Sequence, residues 1–407
     1  MARNSRRLLS DMNILFLSLR CPYPPNRGDR IRNYYFIKHL AKKHRVTLVS
    51  FVESTDDIQI AKPLNQICDQ VEYVFFNRKR ALLSSALGSF SKDPFQVHYW
   101  KSLEMQQKVD ELLNKDQFDL IHAHLFRMGQ YVSAYKDGSK VLDLCDSLAL
   151  NLKRRSQLDK GIHLPLLKWE ANRVKKYEVE MMRAFDYGTV VAQPDFDYLM
   201  AEDSNLKLAV IPVGIDLDYY TQFEPVQNET VPHLLFTGTM SYFPNVDAVC
   251  YFYHQILPLI QEKLPAVHLS IVGTNPKKSV RKLAGVDVTV TGSVSDTRPY
   301  FDQASVFVSP MRSGSGLQVK HLEAMAMGLP IVTTPLGANG LEGVWGEHLS
   351  VAETPEDFAE KTIQLIQNPQ KRQEMGLAGQ KLVRQKYDWR ILGQQLEQVY
   401  QQVVPVS

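Results

Sequence analysis

Short runs rich in Val, Ile, Leu and Phe recur along the first half of the chain, at 13–18, 46–52, 72–76, 118–122, 140–144, 188–192 and 208–212. They are near-continuous in apolar residues and too short for helices, the pattern of strands buried on both faces. Segments with helical spacing separate most of them, among them Ile31–Ala41, Leu103–Leu113 and Leu166–Ala184. Strands alternating with helices predict a parallel sheet covered on both sides, so residues 1–212 read as a doubly wound α/β domain.

The rhythm begins again at His233, with strand-like runs at 233–237, 267–272, 286–290, 305–309 and 330–334. A second domain of the same class is expected over 233–385. The stretch 213–232, following Pro212 and holding Asn228-Glu229-Thr230 before Pro232, reads as the linker between them. After Pro355 the pattern is helical, and Trp389–Val403 predicts a last helix within a closing segment 386–407.

Composition changes this picture little. A chain of 407 residues suits two domains, and 44% hydrophobic with 22% charged residues is an ordinary globular balance. The net charge of +3 is too small to argue for nucleic acid. Cys21, Cys68, Cys145 and Cys250 lie far apart with no Cys-x-x-Cys pair, against a disulfide framework or a cysteine zinc site and in favour of a reducing compartment. Arg3, Arg6 and Arg7 before Ile14-Leu15-Phe16-Leu17 imitate a signal peptide, but the apolar run is short and no small-residue cleavage site follows, so a first buried strand is expected instead. No run of 18 apolar residues is present to span a membrane.

The candidate chemistry is densest between Ser309 and Pro335. A strand over Val306-Phe307-Val308, a turn with Gly314 and Gly316, and a helix from Leu317 to Met327 stopped by Gly328 and Pro330 follow one another. Glycines let the main chain approach an anion, and the first helical turn aims unpaired N–H groups at it. Lys320 and Glu323, three residues apart, share a helix face and offer a cation for a diphosphate and a carboxylate for ribose hydroxyls. The competing reading is a surface turn before a core helix, since Leu322, Met325 and Ala326 need an interior.

The run from Gly314 through Glu323-Ala324-Met325-Ala326-Met327-Gly328-Leu329-Pro330-Ile331-Val332 resembles the donor-site signature of the GT-B glycosyltransferases of family 4, retaining enzymes that use nucleotide sugars. That signature has two Glu residues eight positions apart. Glu323 matches the second, whose implied role is to hold the donor ribose, while Ser315 stands in place of the first. Arg312, Gly314, Gly316 and Lys320 are closer to an exopolysaccharide sugar-transferase subgroup with an Arg-x-Gly-x-Gly turn and a later Lys. There the main chain of the turn from Gly314 through Ser315 and Gly316 to Leu317 would hold the sugar.

The resemblance implies two Rossmann-like domains facing each other across a cleft, with the last helix crossing back to the first domain. It also implies roles for Gly28 and Gly238 near the donor phosphates, for main-chain groups at Val294 against the base, and for Gly214 and Asp216 as hinge structure. The Arg and Lys that often follow the glycine at 238 are replaced by Thr239 and Pro244, so Arg312 and Lys320 become the substitute cations. His124 matches a family histidine near the donor sugar and acceptor.

From the residues alone, His122 and His124 fall on one face of a strand, with no nearby Cys or third ligand in sequence to complete a metal site. Asp119, Asp143 and Asp146, at strand ends, read as helix caps or acceptor-hydroxyl partners. Arg78-Lys79-Arg80 with Ala81-Leu82-Leu83, and Lys153-Arg154-Arg155, suit either solvated helix faces or an anionic membrane surface.

The expected activity is retaining, metal-independent transfer of a hexose from a nucleoside diphosphate sugar, UDP-sugar favoured over GDP-sugar, to a glycan or lipid-linked glycan acceptor in exopolysaccharide or cell-surface polysaccharide synthesis. The nucleotide sugar is a substrate, and no cofactor is expected. The expected location is cytoplasmic, peripheral on the inner face of the cell membrane. A non-catalytic nucleotide-sugar-binding or scaffold subunit, and an epimerase or phosphorylase of the same fold, are the competing readings.

Overall fold

A computed structural model describes residues 11–26, 28–88, 91–158, 164–221, 231–314 and 317–404. The chain divides into two compact units, one of Met1–Pro212 with Leu392–Ser407, the other of Val213–Ile391.

The first unit holds a seven-stranded sheet of β1 (Asn13–Ser18), β2 (Arg45–Val52), β3 (Gln70–Phe75), β4 (Leu120–His124), β5 (Ser139–Cys145), β6 (Tyr187–Val190) and β7 (Leu208–Val210), in the order β3-β2-β1-β4-β5-β6-β7. Every pairing is parallel. Leu15, Leu17, Val49, Ile121 and Leu142 enter one apolar cluster. Their neighbours Ile14, Phe16, Leu48 and Leu120 are equally buried. Consecutive side chains on a strand point to opposite faces, so a run apolar at every position needs cover on both. Part of that cover is the final helix (Trp389–Val403) from Leu392 onward. Its buried Tyr400 hydroxyl lies 2.8 Å from Nδ1 of His122, whose ring stacks on Phe16 at 4.3 Å.

The second unit holds β8 (His233–Thr237), β9 (His268–Val272), β10 (Val288–Gly292), β11 (Val306–Ser309), β12 (Ile331–Thr333) and β13 (Ser350–Val351), in the order β10-β9-β8-β11-β12-β13. These pairings too are all parallel. Leu234, Phe236, Leu269 and Val306 belong to one core cluster, whereas Leu235, Val272, Phe307 and Ile331 belong to another. In each sheet the strand order reverses at one place, between β1 and β4 and between β8 and β11. Open α/β sheets bind ligands at such a switch point, off the carboxyl ends of the strands.

Predicted and observed strands agree within about two residues at each end. The two-residue β13 carries too little pattern to read from sequence. Residues 213–221, read as linker, lie in the second unit, where Ile215, Leu217 and Tyr220 are buried in its core. Residues 222–230 lie outside the described set.

Candidate functional site

In the second unit the β8/β11 switch point gathers most of the described candidates. After β8 the chain passes Gly238 at φ +154°, where an added Cβ would sit 2.6 Å from Nδ2 of Asn245. Gly273, after β9, is as constrained, since a Cβ there would meet the Gly238 carbonyl oxygen at 1.7 Å. Two glycines therefore let neighbouring loops close on each other. Asn245 ties them to the next element, donating from Nδ2 to the Thr239 carbonyl at 3.1 Å and accepting from Nζ of Lys320 at 2.7 Å.

Lys320 belongs to the helix Val319–Ala326, which is longer in sequence pattern than in fact: the predicted start, Leu317, precedes it. Its ammonium is buried with the Asn245 oxygen, the Met311 sulfur at 3.5 Å and the Phe236 ring at 4.5 Å as neighbours. Burial pushes it down to about 7, with Glu323 pulling the other way. Glu323 is partly exposed and accepts from the Tyr220 hydroxyl at 3.0 Å. Burial raises its carboxyl, opposed by that hydrogen bond and by Lys320.

The same unit holds buried polar atoms with no partner: Oγ1 of Thr237 at the end of β8, Oγ of Ser309 at the end of β11, Oγ of Ser313, and both ring nitrogens of His321, whose ring meets Phe307. Buried polar groups are nearly always hydrogen-bonded, so the two open hydroxyls at the adjacent ends of β8 and β11 suit a polar ligand. Burial holds His321 at about 3, a neutral ring.

Other expected residues are placed differently. Arg312 is committed to Asp247, with Nε at 3.1 Å and a second nitrogen at 2.5 Å, and lies 4.2 Å over the Tyr251 ring. Its charge is thus already met, and Lys320 is the cation with neutral hydrogen-bond partners. Gly314 adopts φ +117° and its Cβ position faces Pro244 at 3.7 Å. Leu317 is partly buried against the core, as is Val294. Ser315 and Gly316 lie outside the described residues. Beside Val294, Asp296 accepts from the Tyr219 hydroxyl at 3.1 Å and from Arg298, and these bonds hold it at about 2. Gly28 opens the helix Gly28–Leu40 with open space around it, so sterics do not demand glycine there.

Two residues escaped the sequence reading. Asn245 directly follows the Pro244 taken as a missing cation, and Tyr220 lay in a stretch read as linker; a polar residue just inside a helix start after a Gly-containing turn was the available signal for the first.

In the first unit a buried array occupies the β4 and β5 ends. Asp143 accepts from Nε of Arg32 at 2.7 Å, from its second guanidinium nitrogen at 3.1 Å and from Thr189 at 2.8 Å, and lies 3.2 Å from Nδ1 of His124. Burial pushes this carboxyl up, yet Arg32 and His124 together hold it well below its ordinary value. Arg32 also donates to the Ile211 and Pro212 carbonyls. The array corrects several expectations. Asp143 is a buried ion-pair partner, not a cap, and Asp119 sits at the opposite strand end, accepting from the Asn13 amide at 2.7 Å. Asp146 accepts from Asn151 at 2.5 Å.

His124 is 1% exposed, turned toward Asp143 with the Cys145 sulfur 3.8 Å from Nε2, where sequence alone offered no third ligand. These three groups have metal-ligand atoms within 4.8 Å of one another. The Arg32 fork on both Asp143 oxygens puts a cation where a metal would have to bind, and burial raises the Cys145 thiol well above its usual value, both against metal ligation. Leu125 and Cys145, each following or ending a strand here, adopt φ of +69° and +61°, backbone settings rare for such residues.

Comparison with known proteins bears on both units. Residues 231–368 match the family described as Glycosyl transferases group 1. A Klebsiella pneumoniae protein described as an uncharacterized 44.6 kDa protein in the cps region is 23% identical over 393 residues, covering 92% of this chain and 96% of its own. The phosphatidyl-myo-inositol mannosyltransferase of Mycobacterium tuberculosis is 29% identical over 209 residues, covering 47% of this chain and 53% of its own. Among solved structures, Anabaena HepE in complex with UDP superposes with a TM-score of 0.67 at 14% identity, covering 96% of this chain and all of the other. Residues 231–368 are thus similar to the group 1 glycosyltransferases, and the chain has the GT-B fold of known glycosyltransferase structures.

Proposed function

We propose that the protein is a retaining glycosyltransferase that moves a hexose from a nucleoside diphosphate sugar to a glycan acceptor during synthesis of a cell-surface polysaccharide. The observation that carries this reading is Lys320: a buried ammonium whose hydrogen-bond partner is neutral, at the β8/β11 switch point beside a partly exposed carboxylate. Such an ammonium is costly to bury unless an anion joins it. A diphosphate supplies that anion, and Glu323 then meets ribose hydroxyls. The similarity to the cps-region protein supports surface polysaccharide as the product.

Chemically, negative charge grows on the diphosphate as its bond to the sugar breaks, and Lys320 stabilises it in a low-dielectric setting. The leaving diphosphate itself draws the proton from the acceptor hydroxyl, so the protein binds and orients instead of supplying a nucleophile. His124, enclosed by Asp143 and Cys145, acts in this scheme by fixing the β4–β5 end in the first unit. The base follows from no side chain, and HepE with UDP and a GDP-mannose-dependent mannosyltransferase among the relatives bracket the choice.

The helix Arg78–Leu87 exposes Leu82, Leu83 and Leu87 beyond a basic first turn, which supports peripheral contact with an anionic membrane. No helix among the described residues is long and apolar enough to cross one. A scaffold reading draws on Ser315 and on the pairing of Arg312 with Asp247. Titration with UDP- and GDP-sugars, followed by assay for slow release of free sugar, separates the two. Turnover supports the transferase; binding without turnover supports the scaffold.

A further inference from the structure

The first unit contains a cavity of about 190 Å³ that none of the donor-site assignments uses. It opens where β1 and β2 end, between Leu19-Arg20-Cys21 and Phe51-Val52-Glu53, with Phe76 just past β3 on a third side. At roughly 30 Å³ per liquid water it holds about six waters, a volume close to that of one monosaccharide ring.

Its walls are of two kinds. One is aromatic: Phe76 stacks on Trp100 at 4.3 Å, and Phe51 meets Trp100 at 5.7 Å. Aromatic faces suit the C–H face of a sugar. The other is cationic, with Arg20, Arg30 and Arg78 all lining the space. Arg20 is paired with Asp29 at 2.7 Å and lies 5.6 Å over the Trp100 ring, while Arg78 is paired with Glu53 at 2.5 Å. The remaining lining acid, Asp57, spends its carboxylate on the Glu53 and Ser54 amides at 2.9 and 3.0 Å. Arg30 differs from the other two, because its Nε is buried without a hydrogen-bond partner. A buried guanidinium N–H left open costs free energy until an acceptor fills it.

We infer that this cavity is a binding site for a monosaccharide bearing an anionic group, the ring lying against Trp100 and Phe76 and the phosphate or carboxylate taken by Arg30. Its use as the acceptor site rests on the transferase reading; the binding does not. A second feature agrees with a phosphate-linked sugar, since Arg78 both lines the cavity and begins the helix that exposes Leu82 and Leu83. A sugar phosphate anchored in lipid would meet both.

Calorimetric titration of the full chain with glucose 1-phosphate, glucuronate and glucose tests this. An anionic sugar binds, and uncharged glucose binds about tenfold more weakly or worse. Arg30→Gln lowers the affinity for the anionic sugar by about tenfold while circular dichroism and thermal midpoint stay native. Affinity lost in Lys320→Met but kept in Arg30→Gln assigns the phosphate to the candidate site of the second unit and overturns the inference. Preference for glucose 1-phosphate identifies a phosphate ligand, and preference for glucuronate a carboxylate one. Failure of both anionic sugars to bind, or wild-type affinity in a folded Arg30→Gln chain, overturns the inference. If Arg30-dependent binding is found but no nucleotide sugar is turned over, the cavity assignment stands and its acceptor role falls.

Discussion

Nζ of Lys320 lies 2.7 Å from Oδ1 of Asn245, so the most deeply placed cation of the candidate donor site rests on a neutral amide. The same amide donates to the Thr239 carbonyl just after β8. One side chain therefore fixes both the glycine loop and the cation.

That relationship makes nucleotide binding a proton-linked event. Burial holds the Lys320 ammonium at about 7, so below that pH the free protein already carries this charge and Lys320 adds no slope to the affinity. Above it the free protein loses the proton, a bound diphosphate must restore it, and affinity falls by up to about tenfold per pH unit. Affinity for UDP-glucose or GDP-mannose measured between pH 6 and 9 checks this, using whichever nucleotide binds. Lys320→Arg, charged throughout, is expected to remove the slope.

Tyr220 donates to Glu323, and burial already raises that carboxyl. Removing the hydroxyl in Tyr220→Phe takes away a bond that favours the ionised form, so the carboxyl rises further. The acid side of the binding profile then moves to higher pH, since a carboxylate's contribution is lost as pH falls through its own value. Glu323→Ala is expected to weaken nucleotide binding by about 1.5–3 kcal/mol at neutral pH with the fold intact, read by calorimetry and circular dichroism.

Gly238→Ala places a Cβ 2.6 Å from the Asn245 amide at a φ of +154°. The amide must move, and Lys320 loses its partner. Nucleotide affinity is expected to drop by at least about tenfold, with backbone strain of about 1–3 kcal/mol appearing as a lower thermal midpoint.

Stability of the first unit depends on its buried charges. Arg32→Gln leaves Asp143 ionised without its guanidinium, and is expected to cost about 3–5 kcal/mol in denaturant titration. Tyr400→Phe removes the hydroxyl from Nδ1 of His122, whose Nε2 already lacks a partner, and is expected to cost about 1–3 kcal/mol. Burial holds His122 at about 3 against an unfolded value near 6.5. The unfolded chain therefore binds the extra proton across that window, and stability declines as pH falls from about 6.5 toward 3.

The two sheets were legible because a strand buried on both faces must be apolar at nearly every position, as Ile14-Leu15-Phe16-Leu17 and Leu234-Leu235-Phe236 are. Lys320 and Glu323 were legible too, because helical spacing puts them on one face whatever surrounds them. What sequence could not supply was company. Arg312 looked like a free cation until Asp247, 65 residues earlier, was seen to hold it. Asp143 looked like a cap until Arg32, from 111 residues away, proved to be its partner.

Local pattern alone determined which segments are strands, where the glycine turn lies and which residue types sit near it, since those depend on neighbours a few positions apart. Tertiary structure decided which charges are spent and which are left waiting: Asn245 beside Lys320, Tyr220 on Glu323, and Arg30 lining one cavity with Phe76 and Trp100. Burial and pairing are set by groups distant in the chain, and they govern whether a charged side chain props up the fold or stands ready for a ligand.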